Sequence, residues 1–292
     1  MRLVRFALAL LVCAVFLSPV SPVSPVPATR AVTGVGEAQG QAQVVAVVGG
    51  QPDDITIDAR GRLVWGDLQR GAVYRLDRGK ITTALAGIGL PEGIVALPDG
   101  GLIVAEQGRD RILRADARGR TTVIRQLVPV PGQEGVDGLG RDPRSGDLFV
   151  PDAPRGVVLR LSVDGRRPRV IARGLGRPVA AALDGRGDVL APDETLGALV
   201  AIAPDGALSR LGALPTPDDV SVDRHGRAWV TTLGDGGLWV VDPGSAPRRV
   251  LVGLANPQGL TLDSCGDPVF VEQNRARIDR LLLTPALARC AF

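Results

Sequence analysis

The chain has 292 residues, of which 45% are hydrophobic but only 3% are aromatic, with 38 glycines and 23 prolines. This balance is typical of many short strands joined by tight turns, with enough apolar residues for a large core. The formal net charge is only +3, and the arginines alternate with acids instead of forming a basic block. The composition therefore excludes nucleic acid as an expected partner.

Residues 1–28 are predicted to form a secretory signal peptide. Arg2 and Arg5 precede the apolar run Phe6–Leu17, which is followed by small residues and prolines up to Ala28. This run is shorter than the roughly 20 apolar residues that span a bilayer. An uncleaved anchor is the alternative, but we predict a secreted, extracytoplasmic protein with no membrane span after cleavage. A polar linker at residues 29–42 then leads into a single domain at residues 43–292.

The domain repeats one pattern six times. Each copy has a short apolar run, a turn rich in Asp, Arg and Gly, and a second apolar run, as in PDDITIDARGRLVWGD from Pro52 and PDDVSVDRHGRAWVTT from Pro217. The copies begin at residues 52, 91, 136, 178, 217 and 257, so successive starts are 39 to 45 residues apart. A period in this range is the signature of a repeat architecture.

Two further strand-like segments follow most copies, for example VYRLD and then ITTALAG after the first. Four short strands in about 40 residues are typical of a β-propeller blade. The sixth copy has no fourth segment, but an unassigned segment, QVVAVVG at Gln43–Gly49, precedes the first copy. We therefore predict an all-β, six-bladed β-propeller of four-stranded antiparallel blades. The N-terminal strand joins the last blade and closes the ring, which removes an open sheet edge. We expect a monomer.

Two cysteines, Cys265 and Cys290, remain once the signal peptide with Cys13 is removed. An even number of cysteines in an exported protein suggests a disulfide. Cys265 lies in the first turn of the sixth copy, and Cys290 follows the third strand of the same copy. Both positions are at the same end of an antiparallel blade, so we predict a bridge that fixes the C-terminal tail; two unpaired thiols are the alternative.

Two sets of acidic residues are predicted at one face of the ring. The inner strands begin, and the second strands end, at the same face because the two run antiparallel. So many carboxylates in a small opening would repel one another unless some were protonated or a cation lay among them, and an all-oxygen set suits Ca²⁺ or another hard divalent cation such as Mg²⁺. The first set, predicted to bind the metal, is Asp53, Glu92, Asp137 and Asp218; the second, predicted to bind the cofactor as well, is Asp67, Glu106, Asp152, Asp193 and Glu272. The alternative is that the acids at strand ends are ordinary turn residues.

The wording of the repeat, P-x-G-h-x-h-D-x-x-G-x-h-h-h-x-D with h apolar, resembles the NHL-repeat propellers. It is also similar to the superfamily of senescence marker protein, regucalcin and gluconolactonase, over residues 43–283. The resemblance implies a metal held at the starts of several inner strands. Glu92-Gly93 and Asp137-Gly138 match the family's pattern, and Asp218 occupies the equivalent place, whereas the family's Asn-Gly is missing and Val179 fills one ring position.

Residues missing from the predicted mouth restrict the chemistry. The only histidine, His225, lies in a turn at the opposite face, which excludes a histidine base, a histidine-ligated zinc site and a serine–histidine nucleophile at the mouth. The aspartates before the first turns are predicted to be structural, and the large aromatics are predicted to share one strand-two position and to pack between blades. These aspartates are Asp58, Asp142, Asp184, Asp223 and Asp263, and the aromatics are Trp65, Phe149, Trp229 and Phe270.

Two functions are consistent with the sequence. The first is a divalent-cation-dependent hydrolase that acts on a small-molecule lactone or ester, resembling gluconolactonase-type lactonases, with Asp218 or Asp137 as the general base. The second is a non-catalytic NHL-like propeller that binds an extracellular protein, a glycan or an envelope component through its loops. The clustering of carboxylates at one mouth favours the enzyme, whereas the missing Asn-Gly and histidine favour the binding protein.

Overall fold

The computed structural model describes residues 29–30 and 41–283, and it confirms the six-bladed propeller. No α-helix occurs within these residues, and no helix there is long and apolar enough to cross a membrane. The predicted signal peptide and Cys290 lie outside the described residues. Cys265 lies in the predicted turn between the first two strands of the sixth blade, and its bridge to Cys290 stays a prediction.

Each blade is an antiparallel sheet whose strands are arranged in order from the channel to the rim. Two strands precede the first blade, β1 (Thr29–Arg30) and β2 (Gln41–Val47). Blade one contains β3 (Pro52–Ile57), β4 (Leu63–Asp67), β5 (Ala72–Asp77) and β6 (Lys80–Ala86). Blade two contains β7 (Pro91–Ala96), β8 (Leu102–Glu106), β9 (Arg111–Ala115) and β10 (Thr121–Gln126). Blade three contains β11 (Gly140–Arg141), β12 (Leu148–Asp152), β13 (Val157–Leu161) and β14 (Arg169–Ala172).

The second half of the ring follows the same order. Blade four contains β15 (Ala182–Leu183), β16 (Val189–Asp193), β17 (Ala198–Ile202) and β18 (Leu208–Ala213). Blade five contains β19 (Pro217–Val222), β20 (Ala228–Thr232), β21 (Gly237–Val241) and β22 (Arg248–Leu251). Blade six contains β23 (Pro257–Leu262), β24 (Pro268–Glu272) and β25 (Arg277–Leu282). Short 3₁₀ turns follow the second strands of blades two, three and six, at Gln107–Arg109, Ala153–Arg155 and Gln273–Arg275.

The N-terminal strand closes the ring as predicted. Strand β2 pairs with β25 from Gln41 opposite Leu282 to Val47 opposite Arg277, and β1 pairs with the outer edge of β2. The last blade therefore takes its fourth strand from the beginning of the chain. This pairing covers the edge that β25 would otherwise expose.

The core consists of apolar clusters between neighbouring blades, and the large aromatics lie in them. Trp65, Phe149, Trp229 and Phe270 are each at most 2% exposed, which confirms their packing role. The prediction that they share one strand position is wrong. Trp65 and Phe270 are the third residues of their strands, and Phe149 and Trp229 are the second. Because side chains alternate along a strand, the first pair packs towards the preceding blade and the second pair towards the following blade.

The face opposite the predicted mouth contains the first turn of each blade, and its aspartates are structural as predicted. In blade one, Asp58 accepts hydrogen bonds from the backbone N–H groups of Arg60 (2.9 Å) and Arg62 (3.1 Å). Comparable bonds from the turn backbone reach Asp142, Asp184, Asp223 and Asp263. We call this side of the ring the turn face.

Candidate functional site: an acidic cluster at the channel mouth

The structure brings the first predicted set of carboxylates together at the channel mouth. Glu92 lies between two of them, within hydrogen-bond reach of both Asp53 and Asp137. Asp218 is close enough for its charge to raise the pKa of Glu92, and the charges of Asp137 and Asp53 in turn raise the pKa of Asp218. We call these four residues, Asp53, Glu92, Asp137 and Asp218, the mouth cluster.

Local sequence explains why neighbouring inner strands approach so closely at this mouth. Gly93 donates a backbone hydrogen bond of 3.2 Å to Asp137, and Gly138 donates one of 2.6 Å to Val179. A Cβ atom on Gly93 would lie 2.6 Å from the Leu139 nitrogen, so this position admits only glycine without rearrangement. The glycines of Glu92-Gly93 and Asp137-Gly138 thus hold adjacent blades together while their acidic neighbours line the mouth.

Blades one and five replace this glycine with an aspartate. Asp54 accepts hydrogen bonds from Ile55 (2.7 Å) and from the backbone N–H of Ile94 in blade two. Asp219 likewise accepts bonds from Val220 (2.7 Å) and from Leu260 in blade six (2.5 Å). Both carboxylates also line an open cavity of about 320 Å³ in the channel. They tie neighbouring blades together and add two acids beneath the mouth cluster.

Burial is the main reason why these acids hold protons so strongly. It raises the pKa of Asp53 to about 7, with the charge of Asp137 adding to the effect and hydrogen bonds from Glu92 and Gln273 opposing it. Burial raises the pKa of Asp137 to about 6, although the Arg177 guanidinium acts in the opposite direction. Burial also raises the pKa of Asp219 to about 7, against its backbone hydrogen bonds.

The remaining acids of the mouth show the same trend more strongly. Burial, followed by the charges of Asp53 and Asp137, holds the pKa of Glu92 well above its ordinary value. Burial and the same two charges do so for Asp218, and burial with the charge of Asp219 does so for Asp54. Protonated and ionised carboxyl groups therefore coexist in the mouth near neutral pH.

Blade six supplies neutral hydrogen-bond donors to the mouth cluster. Gln273 donates from Nε2 to Asp53 at 2.7 Å, and Asn256 donates to Gln273 at 2.9 Å. With its amide nitrogen facing Asp218, Gln258 donates to both carboxylate oxygens at 3.1 and 2.9 Å. Sequence reasoning did not identify Asn256, Gln258 or Gln273 as partners of the mouth cluster.

Arg177 contacts the other side of the cluster. The Arg177 guanidinium lies 3.3 Å from Asp137 and 2.6 Å from Glu134, and it also contacts Glu194. Glu134 belongs to the connection between blades two and three, and Glu194 to the turn after β16. Sequence reasoning missed all three residues because none of them occupies the repeated positions.

The second predicted set is satisfied within the blades. Asp67 is bound by Arg70 (2.7 Å), Glu106 by Arg109 and Arg111, Asp152 by Arg155 (3.1 Å), and Glu272 by Arg275 and Arg277. Asp193 instead accepts three backbone hydrogen bonds, from Gly176 (2.6 Å), Arg177 (2.9 Å) and Leu196 (2.9 Å). These partners use the carboxylate oxygens that a cofactor would need, and the structure gives all five residues a role in holding strand ends and connections.

The donor chemistry of the mouth cluster fits a hard divalent cation. The four carboxyl groups offer oxygen ligands, and their mutual repulsion and burial are the conditions that a cation relieves. Within residues 41–283, however, no three acidic, histidine or cysteine side chains already converge in a metal-binding arrangement. Cation binding would require the carboxylates to draw closer together.

His225 lies on the turn face, as predicted. Its backbone N–H donates to Asp223 (2.8 Å), and its Nε2 atom lies 3.2 Å from Nε of Arg224. Because the chain has no other histidine, carboxyl groups are the residues that can exchange protons near neutral pH in the described part of the mouth.

Comparisons with known proteins support this architecture. No family model matches the chain. Virginiamycin B lyase of Nocardia farcinica (strain IFM 10152) is 32% identical over 206 residues, which cover 68% of this chain and 69% of the relative.

Solved structures share the fold at lower identity. A gluconolactonase from Xanthomonas campestris superposes with a TM-score of 0.72 at 22% identity, over 92% of this chain and 99% of the other. A catalytically inactive His-to-Ala variant of Staphylococcus aureus virginiamycin B lyase, with quinupristin, superposes with a TM-score of 0.64 at 15% identity, over 85% and 89% of the two chains.

Proposed function

The chain belongs to the virginiamycin B lyase family of six-bladed propellers. We propose that it is an enzyme that hydrolyses a small-molecule lactone or ester at the mouth cluster. The proposal includes dependence on a divalent cation, Ca²⁺ or Mg²⁺, and action outside the cytoplasm as a monomer. The observation that carries it is the contact of Glu92 with both Asp53 and Asp137 at the mouth of the channel.

The four carboxylates of the mouth cluster would hold the cation. When bound, such an ion supplies a Lewis acid that polarises the carbonyl group of the substrate. The amides of blade six orient two of the ligands, since Gln273 binds Asp53 and Gln258 binds Asp218. Outer contacts of this kind fix the direction in which a ligand oxygen points.

Asp137 is the better placed of the two predicted general bases. Arg177 lies 3.3 Å from its carboxylate and favours the ionised form, whereas Asp218 has no cation within 4 Å among the described residues. In the proposed reaction Asp137 removes a proton from water as the water oxygen attacks the carbonyl carbon. The bond between the acyl carbon and the alkoxide oxygen then breaks, and the same carboxylic acid returns the proton to that oxygen.

A reaction based on carboxylates distinguishes this chain from the Staphylococcus aureus relative, in which a His-to-Ala variant is catalytically inactive. His225 lies on the turn face and cannot take part at the mouth. The two predicted functions can therefore be separated experimentally: hydrolysis here requires the carboxylates and a cation, whereas binding of an extracellular protein or glycan requires neither. The internal partners of Asp53, Asp137 and Asp218 favour the binding alternative, since they already satisfy part of the cluster.

The first experiment is a thermal melt of the purified protein with Ca²⁺, with Mg²⁺ and after chelation, compared with the variants Glu92→Gln and Asp152→Asn. A cation at about 100 times its dissociation constant adds roughly 2.7 kcal/mol to the free energy of unfolding. We expect this gain in the wild type and in Asp152→Asn, whose carboxylate lies in the second set, and its loss in Glu92→Gln.

Activity is then measured as acid release from a panel of γ-lactones, δ-lactones and cyclic esters. We expect cation-dependent hydrolysis that falls by on the order of 100-fold in Asp137→Asn, the size of effect typical for loss of a general base. Hydrolysis that survives chelation and the Asp137→Asn substitution would remove this mechanism. If neither cation nor chelator changes the melting temperature and no substrate is hydrolysed, the result would favour the non-catalytic binding protein.

A further inference from the structure

A groove between blades one and two opens on the turn face, away from the mouth cluster. It has a volume of about 390 Å³, and its charged lining residues are Arg60, Arg62, Arg75, Asp58 and Asp99. We call it the arginine groove. Pro98 and Gly100 from the first turn of blade two, with Ala117, form its other wall.

Both aspartates of the groove are already bound by other groups. Asp58 accepts bonds from the turn backbone and from the Arg62 guanidinium, whose Nε and Nη2 atoms lie 2.9 and 2.7 Å from Oδ2. Asp99 accepts bonds from Gly101 (2.9 Å) and from Arg114 (2.6 Å), which is not part of the lining. Of the three guanidinium groups in the lining, those of Arg62 and Arg75 therefore share Asp58, the one lining carboxylate that is not neutralised from outside the groove.

Arg75 is the arginine that this arrangement leaves unsatisfied. Its side chain is 16% exposed, and its Nε atom lies 3.6 Å from Asp58, too far for a hydrogen bond. This nitrogen is buried and has no hydrogen-bond partner in the described residues, while Nη2 makes one long bond of 3.4 Å to the Gly100 carbonyl. Arg60 is exposed and forms no ion pair within 4 Å in the described part of the chain.

The equivalent arginines of other blades differ from Arg75 in their ion pairs. The fourth residue of the third strand is an arginine in four of the blades. In blades two, three and six it makes a hydrogen-bonded ion pair with an aspartate of a first turn; these pairs are Arg114 with Asp99 (2.6 Å), Arg160 with Asp147 (2.8 Å) and Arg280 with Asp263 (3.2 Å). In blade one, Arg62 occupies the carboxylate that Arg75 would use.

We propose that the arginine groove binds a small oxyanion, a phosphate or sulfate group carried by a soluble molecule. Planar guanidinium groups match the oxygen spacing of such groups and bind them through paired N–H donors. The buried Nε of Arg75 supplies a donor that no described residue uses, and Arg60 supplies charge at the entrance. The groove exceeds the size of an inorganic ion, which leaves room for part of the molecule that carries it.

The test measures inorganic phosphate and sulfate binding by titration calorimetry and by thermal melt, at constant ionic strength with chloride as the reference anion. The variants are Arg75→Gln, Arg60→Gln and the control Arg160→Gln, which changes the same strand position in blade three. We expect phosphate binding in the wild type and in Arg160→Gln, and a loss of affinity on the order of tenfold or more in Arg75→Gln. Because Arg60 is exposed in a turn, Arg60→Gln keeps the test informative should Arg75→Gln fail to fold.

The proposal is overturned if phosphate and sulfate stabilise the protein no more than chloride does, or if Arg75→Gln and Arg60→Gln both bind them as the wild type does. Flotation with vesicles containing phosphatidic acid separates the two sources of a phosphate group. Binding of phosphate without vesicle binding supports a soluble ligand, and vesicle binding that requires Arg75 would overturn the soluble carrier. The outcome is independent of the mouth cluster, because none of its residues lines the groove.

Discussion

Gln273 donates a hydrogen bond of 2.7 Å to Asp53 and so joins the last blade to the first at the channel mouth. In Gln273→Met this bond is lost, and we expect the free energy of unfolding to fall by about 1 kcal/mol. The pKa of Asp53, already raised to about 7 mainly by burial, should rise further. A carboxyl group with a raised pKa stabilises the fold fully at acid pH and loses that contribution as the pH rises through it, so the variant should lose more stability at pH 8 than at pH 5.

Urea denaturation at the two pH values measures this difference. The matched control is Gln107→Met, because Gln107 follows Glu106 in blade two as Gln273 follows Glu272 in blade six. Gln107 makes no side-chain hydrogen bond among the described residues. An equal, pH-independent loss in both variants would show that packing of the amide, and not the bond to Asp53, is what matters.

Arg177 is expected to stabilise the mouth mainly at neutral and alkaline pH. Its guanidinium contacts Asp137 (3.3 Å), Glu134 (2.6 Å) and Glu194. Because the side chain is partly exposed, we expect Arg177→Gln to reduce the free energy of unfolding by only about 1–2 kcal/mol at pH 7.5. The pKa of Asp137 is raised to about 6, so at pH 5 most of this carboxyl group is protonated and the loss should be smaller.

Denaturation at pH 5 and pH 7.5 tests this expectation. Arg155→Gln is the control, since Arg155 contacts one carboxylate, Asp152, outside the mouth cluster. A larger loss for Arg177→Gln at pH 5 than at pH 7.5 would contradict the assigned electrostatic role.

The repeat predicted the fold because turns and strands keep the same phase in six copies. The ring closure could also be predicted, because the sixth copy lacks a fourth strand and an unassigned strand precedes the first copy. The packing direction of the large aromatics could not be predicted, because moving a residue by one position along a strand places its side chain on the other face of the blade. Trp65 and Trp229 look equivalent in the sequence but pack against opposite neighbours.

The candidate site was predictable in part. The mouth cluster follows from strand direction alone, but Arg177, Asp54 and Asp219 depend on how closely neighbouring blades approach. The internal role of the second set had a signal in the sequence that was overlooked. Four of its five acids have an arginine three residues later, as in Asp67 with Arg70, and the turns after the strands bring that arginine back to the acid.

Adjacent aspartates in blade five are expected to respond in opposite ways. Asp219 accepts bonds from Val220 and Leu260, so Asp219→Ala leaves two backbone donors unpaired and should cost about 2–3 kcal/mol. Asp218 contacts an amide, and burial holds its pKa well above the ordinary value. Asp218→Asn should therefore be neutral or stabilising at pH 8. Thermal melts of the two variants at pH 8 measure the contrast, and a stability loss in Asp218→Asn as large as that in Asp219→Ala would refute it.

Asp193 is expected to be structural and to have no part in cation binding. It accepts backbone hydrogen bonds from Gly176, Arg177 and Leu196, so Asp193→Ala should lower the free energy of unfolding by about 2–3 kcal/mol. Any shift of the melting temperature by Ca²⁺ or Mg²⁺ should remain as large as in the wild type. A folded Asp193→Ala protein that no longer responded to a cation to which the wild type responds would return the second set to the binding site.

The ring closure contains a buried acid at a position where the other blades have an apolar or aromatic residue. Asp279 in β25 corresponds to Tyr74, Leu113, Leu159, Val200 and Trp239. Asp279 is 1% exposed, and its Oδ1 atom has no hydrogen-bond partner among the described residues. Its other oxygen accepts a bond of 2.8 Å from Arg277. Burial, with the hydrogen bond to Glu272 next, raises the pKa of Asp279 to about 8.

Stability should therefore fall as the pH rises towards 8, because the folded state holds a proton that the unfolded chain has released above its ordinary pKa of 3.8. Asp279→Asn has nearly the same shape and can still accept the bond from Arg277, but it cannot ionise. We expect it to raise the free energy of unfolding much more at pH 8 than at pH 5, because each pH unit between the unfolded and the folded pKa adds about 1.4 kcal/mol to the penalty that the substitution removes. Denaturation across this range measures the difference. Equal effects at both ends would mean that Asp279 does not titrate with folding, and a destabilised variant at pH 8 would mean that its ionised form is what holds Arg277 and the closing strand.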